Sequence, residues 1–396
     1  MTKKIFSVVS SFLIMLCLGG VYAWSIFVPD LEAEYGFSSF QTQLIFGVVI
    51  AIFPATMILA GNIEKKRGTR FLTIVSAVLW TSGYLMASFS NGNFLMILGG
   101  IGFLAGIGTG FGYLAAITLP VKIFPAKKGL VTGVAAAGFG LAAVVMSLIA
   151  ETLSNNGKTV LQIFRFLGIT YGIVIILLSF FIYTPLQKYS GKNTKVRHLL
   201  NRKEFYKLFS AILFGTFGGL LVIGNLKTLG AQHPINENIL IMGVSLFAFA
   251  NFTGRLFWGF ISDYAGSKWS IFSALSFQAI SIFLIGFIPL TASLYILLSI
   301  SIGFGFGANF VLFARETSQI FGVQNLGAVY PYVFLGYALA GIFGPVTGGI
   351  ILDTFNSFTY ATLLASLISF AGALLFLFNN RHQVNQQQNV NQNTTS

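Results

Sequence analysis

The stretch 247-FAFANFTGRLFWGFISDYAG-266 decides the fold. It places Arg255 in a run of apolar and small residues, with no acid after it until Asp263. In a soluble loop such a cation is ordinary. Inside a bilayer it costs at least a few kcal/mol unless it is partnered or hydrated. The surrounding composition says which case applies. Of the 396 residues, 8% are charged and 55% are hydrophobic, whereas a soluble domain carries about 25% charged residues. This is the composition of a polytopic membrane protein.

Apolar runs of about 20 residues are long enough to cross a bilayer as helices. Twelve are read along the chain, at 5–28, 41–61, 71–90, 94–120, 129–151, 161–184, 206–228, 238–261, 269–288, 291–314, 325–351 and 357–378. The fold class is therefore an all-α membrane protein. The first run follows Lys3 and Lys4 and ends near a Val21-x-Ala23 sequence that resembles a signal cleavage site. Its apolar core is longer than a signal h-region and more spans follow it, so retention as the first membrane helix is expected. The single Cys17 excludes an internal disulfide.

Charge placement orients the spans. With the N-terminus in the cytosol, inside segments hold nineteen of the 23 basic residues. Seven of these belong to the loop between spans six and seven and the start of span seven. Six of the ten acids fall outside: Asp30, Glu32, Glu34, Glu151, Glu237 and Asp353. An excess of Lys and Arg on cytoplasmic loops is the expected bias. Both termini are then cytoplasmic, in the cell's inner (plasma) membrane. The net charge of +13 reports this orientation and implies no nucleic-acid partner. Lys158 lies in an outer loop, and Arg165 and Lys227 lie near outer helix ends, where they can snorkel. Arg255 has no such explanation.

A basic segment at 185–205 separates two six-span halves, 1–184 and 206–378, and an Asn/Gln-rich tail at 379–396 reads as disordered. The halves echo one another. Gly19-Gly20 matches Gly218-Gly219 at an offset of 199, Gly61 and Gly68 match Gly259 and Gly266 at 198, and Phe124 matches Phe321 at 197. Paired halves of this kind place a substrate site between them near the bilayer midplane.

The segment 259-GFISDYAGSK-268 resembles the G-x-x-x-D-x-x-G-x-[KR] loop of the major facilitator superfamily, with Gly259, Asp263 and Gly266 in its conformational positions. The first-half copy, 61-GNIEKKRGTR-70, has Lys65 at the acid position and Glu64 one residue early, which puts the usual latch of that half in doubt. A narrower resemblance is to the oxalate/formate antiporter family. It rests on 19-GGVYAWSIF-27, 106-GIGTGFGYLAAIT-118, 124-FPAKKGLVTGVAAAGFG-140 and 251-NFTGRLFWGFISD-263. The resemblance implies a twelve-helix major facilitator fold in two six-helix pseudo-repeats, and an arginine of span eight that binds the substrate anion.

The residues support that role independently. At about 100° per residue, the neighbours of Arg255 on its own helix face are Val244, Ala248, Asn251, Gly259 and Ser262, a small or polar stripe. The opposite face carries Phe249, Leu256, Phe257 and Phe260. Polar groups within spans usually face the protein interior, and an inward guanidinium is a planar fork suited to a carboxylate. Asn251, Tyr22, Tyr113, Tyr330, Tyr337 and Trp24 are further substrate-binding candidates, their hydroxyls or ring N–H available as donors. Tyr22 and Trp24 are about 200° apart on span one, so both are not expected to face the cavity. The oxalate transporter of the resembled family pairs its arginine with a lysine of span eleven. Here that span contains no Lys or Arg, and Tyr337 falls at the lysine's place.

One cation favours a monocarboxylate such as formate, lactate or pyruvate over oxalate, because a second carboxylate would be left unpaired. No metal-ligand cluster, nucleophile–base pair or phosphate loop stands out, so neither enzymatic activity nor a cofactor is expected. Within the spans as read, no Asp or Glu lies deep, which fits anion exchange, facilitated diffusion or entry of a proton with the weak acid. The competing readings are a carrier of neutral or cationic compounds, including drugs, and a sensor that binds a metabolite without moving it. The expected partners are a small organic anion and the lipid bilayer, with the protein a monomer. Reporter fusions at Ser396 and within 185–205 are expected to read out from the cytoplasm; an external signal at either position contradicts the twelve-span arrangement.

Overall fold

The computed structural model describes residues 2–182, 196–355 and 357–376. The first part of the basic segment, 185–195, and the tail 379–396 lie outside the described residues. In chain order the helices are α1 (Thr2–Leu18), α2 (Val28–Tyr35), α3 (Ser39–Ser88), α4 (Phe94–Ile97), α5 (Gly106–Ile123), α6 (Lys128–Asn155) and α7 (Val160–Ser179). They continue with α8 (Val196–Leu200), α9 (Lys203–Ala231), α10 (Glu237–Ala265), α11 (Ser267–Phe287), α12 (Ala292–Phe321), α13 (Leu326–Phe355) and α14 (Thr359–Leu374). A 3₁₀ segment, Gly19–Ile26, extends α1, and a π segment, Leu98–Ala105, joins α4 to α5. No strand occurs among the described residues.

Ten described helical runs are long and apolar enough to cross a membrane. One of them, Leu44–Ser88, spans 45 residues and covers the second and third predicted spans except for two or three residues at the outer ends. Another apolar helix, Thr359–Leu374, is shorter and corresponds to the twelfth. Dividing the long run at its bend and adding Thr359–Leu374 gives the twelve helices read from the sequence.

The bend is at Gly68, with φ 81° and ψ 167°. Gly266, its counterpart at an offset of 198, has φ 77° and ψ 150° and separates α10 from α11. That backbone region is open essentially to glycine alone. The two halves thus turn the chain in the same way at the same repeat position.

Glycine also sets how the halves meet. A Cβ on Gly129 of α6 would collide with the Gly259 carbonyl of α10, and one on Gly133 would come 2.6 Å from the Arg255 carbonyl. At the related crossing, a Cβ on Gly61 of α3 would collide with the Gly327 carbonyl of α13. Small residues at such spacing let membrane helices approach backbone to backbone.

Asp263 secures the first crossing. Its carboxylate accepts the N–H groups of Gly129 and Leu130, each at 2.9 Å, at the first turn of α6. Arg315 Nε donates to it from α12 at 3.1 Å. An acid at a helix N-terminus meets unsatisfied N–H groups and the positive end of the dipole. In the first half Lys65 is exposed and Glu64 takes the inward place. Glu64 accepts from Thr69 and Thr118, at 2.9 and 2.8 Å, and pairs with Lys122. That cluster ties α3 to α5 inside its own half, while Gly327 of α13 packs directly against the carboxylate.

Helix boundaries correct one sequence reading. α12 continues to Phe321, past the predicted end at 314, so Glu316 lies within a helix, 1% exposed and bonded to Ser267. Glu64 is likewise 7% exposed inside α3. Acids are therefore buried in the helices, but in clusters near the helix ends. In a Cys17→Ser background carrying a cysteine at Leu130, Asp263→Asn is expected to raise the thiol-labelling rate roughly ten-fold, the scale of a lost hydrogen bond to a charged group. Lys65→Asn, at an exposed position, is expected to leave that rate unchanged.

Candidate functional site

Arg255 sits ten residues from the end of α10, which places it about 15 Å along the helix from that end. This is deeper than the sequence boundary implied, because α10 runs on to Ala265. The residue is 0% exposed, whereas Phe249, Phe257 and Phe260 on the opposite face are 52%, 46% and 46% exposed. The small, polar face of α10 is the inward one, and the aromatic face is turned to the surroundings.

Neutral groups hold the guanidinium. Nε donates to Asn251 Oδ1 at 3.0 Å, one turn earlier on α10. Nη1 donates to the Ala136 carbonyl of α6, across the boundary between the halves, at 2.7 Å. Cζ lies 4.2 Å from the ring centroid of Phe310 on α12, a cation–π contact. Nη2 is buried and has no hydrogen-bond partner among the described residues, and no acid among them forms an ion pair with Arg255.

The hydroxyls of Tyr22, Tyr113, Tyr330 and Tyr337 all lie within electrostatic range of the guanidinium. Tyr22 of the first half and Tyr337 of the second share a hydrogen bond between their hydroxyls. The Tyr113 and Tyr330 hydroxyls are buried and lie against one another. Tyr22 reaches this place because the Gly19–Ile26 segment lies tight on α6: a Cβ on Gly19 would sit 2.5 Å from the Phe139 carbonyl and 2.7 Å from Ala142 Cβ.

Aromatic rings wall the hydroxyls. Phe139 meets Tyr22 and Tyr113 edge-on, at 5.5 and 5.2 Å between centroids. Phe334 stacks on Tyr113 and Tyr337, at 5.3 and 5.0 Å. Phe53 touches both Tyr113 and Tyr337, and Phe310 meets Tyr337 edge-on at 5.4 Å.

The structure thus brings together Arg255, Asn251, Tyr22, Tyr113, Tyr330 and Tyr337. Trp24 does not join them. Its indole N–H donates to the Thr42 carbonyl at 2.9 Å, and its ring packs on Phe27 and Phe164 within the first half. The sequence reading omitted Phe53, Phe139, Phe310 and the Ala136 carbonyl. The repeat carries a signal for two of these: Phe310 is the counterpart of Tyr113 at an offset of 197, and Phe53 that of Asn251 at 198. Nothing in the sequence marks a backbone carbonyl.

A family model described as the Major Facilitator Superfamily matches residues 9–330 and 209–395. The oxalate:formate antiporter of Oxalobacter formigenes is 28% identical, over 92% of this chain and 90% of that protein. Monocarboxylate transporter 12 of Xenopus laevis is 24% identical, over 97% and 90% respectively. The crystal structure of FucP, a major facilitator transporter in the outward conformation, superposes with a TM-score of 0.74 at 14% identity, covering 95% of this chain and 98% of that one. That last likeness concerns the fold alone.

If Arg255 serves as an anion ligand, Arg255→Lys keeps the charge but loses the fork and should cut anion uptake by about ten-fold or more. Arg255→Gln should nearly abolish it at matched membrane abundance. Uptake by Arg255→Gln near the unmodified rate removes Arg255 from the site.

Proposed function

The chain belongs to the major facilitator superfamily, and we propose that it carries small monocarboxylate anions across the membrane by alternating access between its two halves. The observation that supports this reading is a buried guanidinium with one unpartnered nitrogen, Nη2, beside tyrosine hydroxyls. A carboxylate supplies what the arrangement lacks: a negative charge, and acceptor lone pairs for Nη2 and for a hydroxyl of the Tyr113–Tyr330 pair.

The count of charges sets the substrate class. One guanidinium neutralises one carboxylate. A second carboxylate in the same enclosure would meet aromatic rings and hydroxyls, and leaving a charge uncompensated at such depth is costly. Tyr337 occupies the place where the resembled oxalate carrier has a lysine, and here its hydroxyl bonds to Tyr22. The rings of Phe53, Phe139 and Phe334 suit a short apolar substituent on the acid. The relatives named above include both an antiporter of oxalate and formate and a monocarboxylate transporter; the absent second cation favours the singly charged substrates.

Alternating access has a physical basis in the two glycine-lined crossings, α6 with α10 and α3 with α13, which are where the halves touch most closely. The Asp263 cluster holds the first crossing at the end assigned to the cytoplasm, and Gly259 and Gly266 shape the loop that presents it. A substrate bound at Arg255 touches both halves, since Arg255 comes from one and Tyr22 and Tyr113 from the other.

Proteoliposomes test the reading. Labelled formate or lactate is expected to enter saturably, and unlabelled oxalate to compete about ten-fold more weakly than unlabelled formate, the scale of one unpaired charge–charge contact. Tyr337→Lys is expected to shift that preference toward oxalate. Equal competition by oxalate and formate in the unmodified protein contradicts the one-cation argument.

A further inference from the structure

Gly140 faces the guanidinium. A Cβ there would come 3.3 Å from Arg255 Nε, closer than side chains ordinarily pack, and into van der Waals contact with Cζ at 3.5 Å. It belongs to the face of α6 that meets α10, together with Gly129, Gly133 and Ala136. In an α-helix the side chain at position i+4 lies back over the turn that contains residue i. For Ala136 that position is Gly140. With no side chain there, the Ala136 carbonyl keeps a lone pair open to a neighbour besides the one used within the helix. Arg255 Nη1 occupies it at 2.7 Å.

Three helices therefore fix one planar group. Asn251 of α10 holds Nε, the Ala136 carbonyl of α6 holds Nη1, and the Phe310 ring of α12 covers a face. Nη2 is the nitrogen these contacts leave over. We propose that Gly140, through the Ala136 carbonyl it uncovers, and Phe310 are positioning residues that set anion affinity by holding the Arg255 guanidinium with its Nη2 edge free for the carboxylate. The inference rests on Arg255 being the anion ligand, and it adds two residues that act through the guanidinium.

Gly140 has a plainer role available, as one more close-packing glycine of α6. The two roles differ in what they change. A packing defect lowers the amount of folded protein or the maximal rate. A misplaced guanidinium raises KM. Gly140→Ala adds a methyl group alone. Gly140→Ser adds a hydroxyl that can donate back to the carbonyl four residues earlier, which is Ala136, and so competes with Arg255 for its acceptor. Phe310→Leu keeps apolar bulk and removes the ring face.

The test is saturable uptake of labelled formate by the full chain in proteoliposomes, normalised to reconstituted protein. Gly140→Ser and Phe310→Leu are each expected to raise KM about ten-fold, and Gly140→Ala about three-fold, with a smaller change in maximal rate, on the scale of one hydrogen bond to a charged group. Saturable uptake by the unmodified protein, together with Gly140→Ser and Phe310→Leu that lose maximal rate at unchanged KM, overturns the positioning role alone. If Gly140→Ser does not insert stably, Phe310→Leu decides the result. Absence of saturable carboxylate uptake by the unmodified protein overturns the anion reading, and this inference with it.

Discussion

A guanidinium with no solvent exposure and, among the described residues, no acid bonded to it is the constraint that the centre of this protein is built around. Removing such an ion from water costs several kcal/mol even after the protein relaxes around it. An amide oxygen, a backbone carbonyl and a ring face offset part of that cost, and each is neutral. None cancels the charge. The four tyrosines bring dipoles that can turn toward the cation or toward an anion beside it, which a fixed carboxylate cannot do. The wall beyond them is aromatic and, among the described residues, brings no ion pair to Arg255.

The same constraint explains the traffic across the boundary between the halves. The guanidinium stem rises from the second half, yet Nη1 finds its acceptor on α6 of the first. That bond requires α6 and α10 to run at backbone contact, and Gly129, Gly133, Gly140 and Gly259 permit it. Larger residues would separate the helices and strip the cation of its carbonyl. Asp263 pins the α6 end of this crossing through two backbone N–H groups. Charge is thus spent at two levels: carboxylates and cations in clusters at one end of the helices, and a lone cation at the centre. The buried Glu64 and Glu316 belong to the first level.

Much of this was legible in the sequence, because the signals are strong ones. Apolar runs gave the helices, and the small stripe through Asn251, Arg255, Gly259 and Ser262 gave the inward face of α10. Helix ends were less legible. The sequence placed Glu316 beyond a span because polar residues begin there, but the helix continues while Glu316 accepts from Ser267 of α11, Arg315 bonds to Gln319 and Ser318 bonds to the Arg315 carbonyl. Span one could not choose between Tyr22 and Trp24, since its outer part winds as a 3₁₀ helix rather than at the 100° spacing assumed for the spans. The acceptor for Nη1 was invisible in principle. Backbone carbonyls have no letter in the sequence, and what exposes this one is an absent side chain four residues away.

The repeat contains a further signal in the places where its two copies disagree. Gly61 and Gly259 agree, as do Gly68 and Gly266, and both pairs shape the frame. Just before them in the chain, at the same offset of 198, Phe53 and Met57 of the first half stand where the second half has Asn251 and Arg255. Phe53 and Met57 are fully buried and apolar; Asn251 and Arg255 are buried and polar. Two equivalent helix faces thus line the space between the halves, one greasy and one cationic. A symmetric pair of arginines would repel each other there, with no acid to separate them. A symmetric pair of apolar faces would hold no ion. Glycines that agree preserve the close crossing of helices, and side chains that differ leave a single charge at the centre of it, so the asymmetry between the copies defines the site.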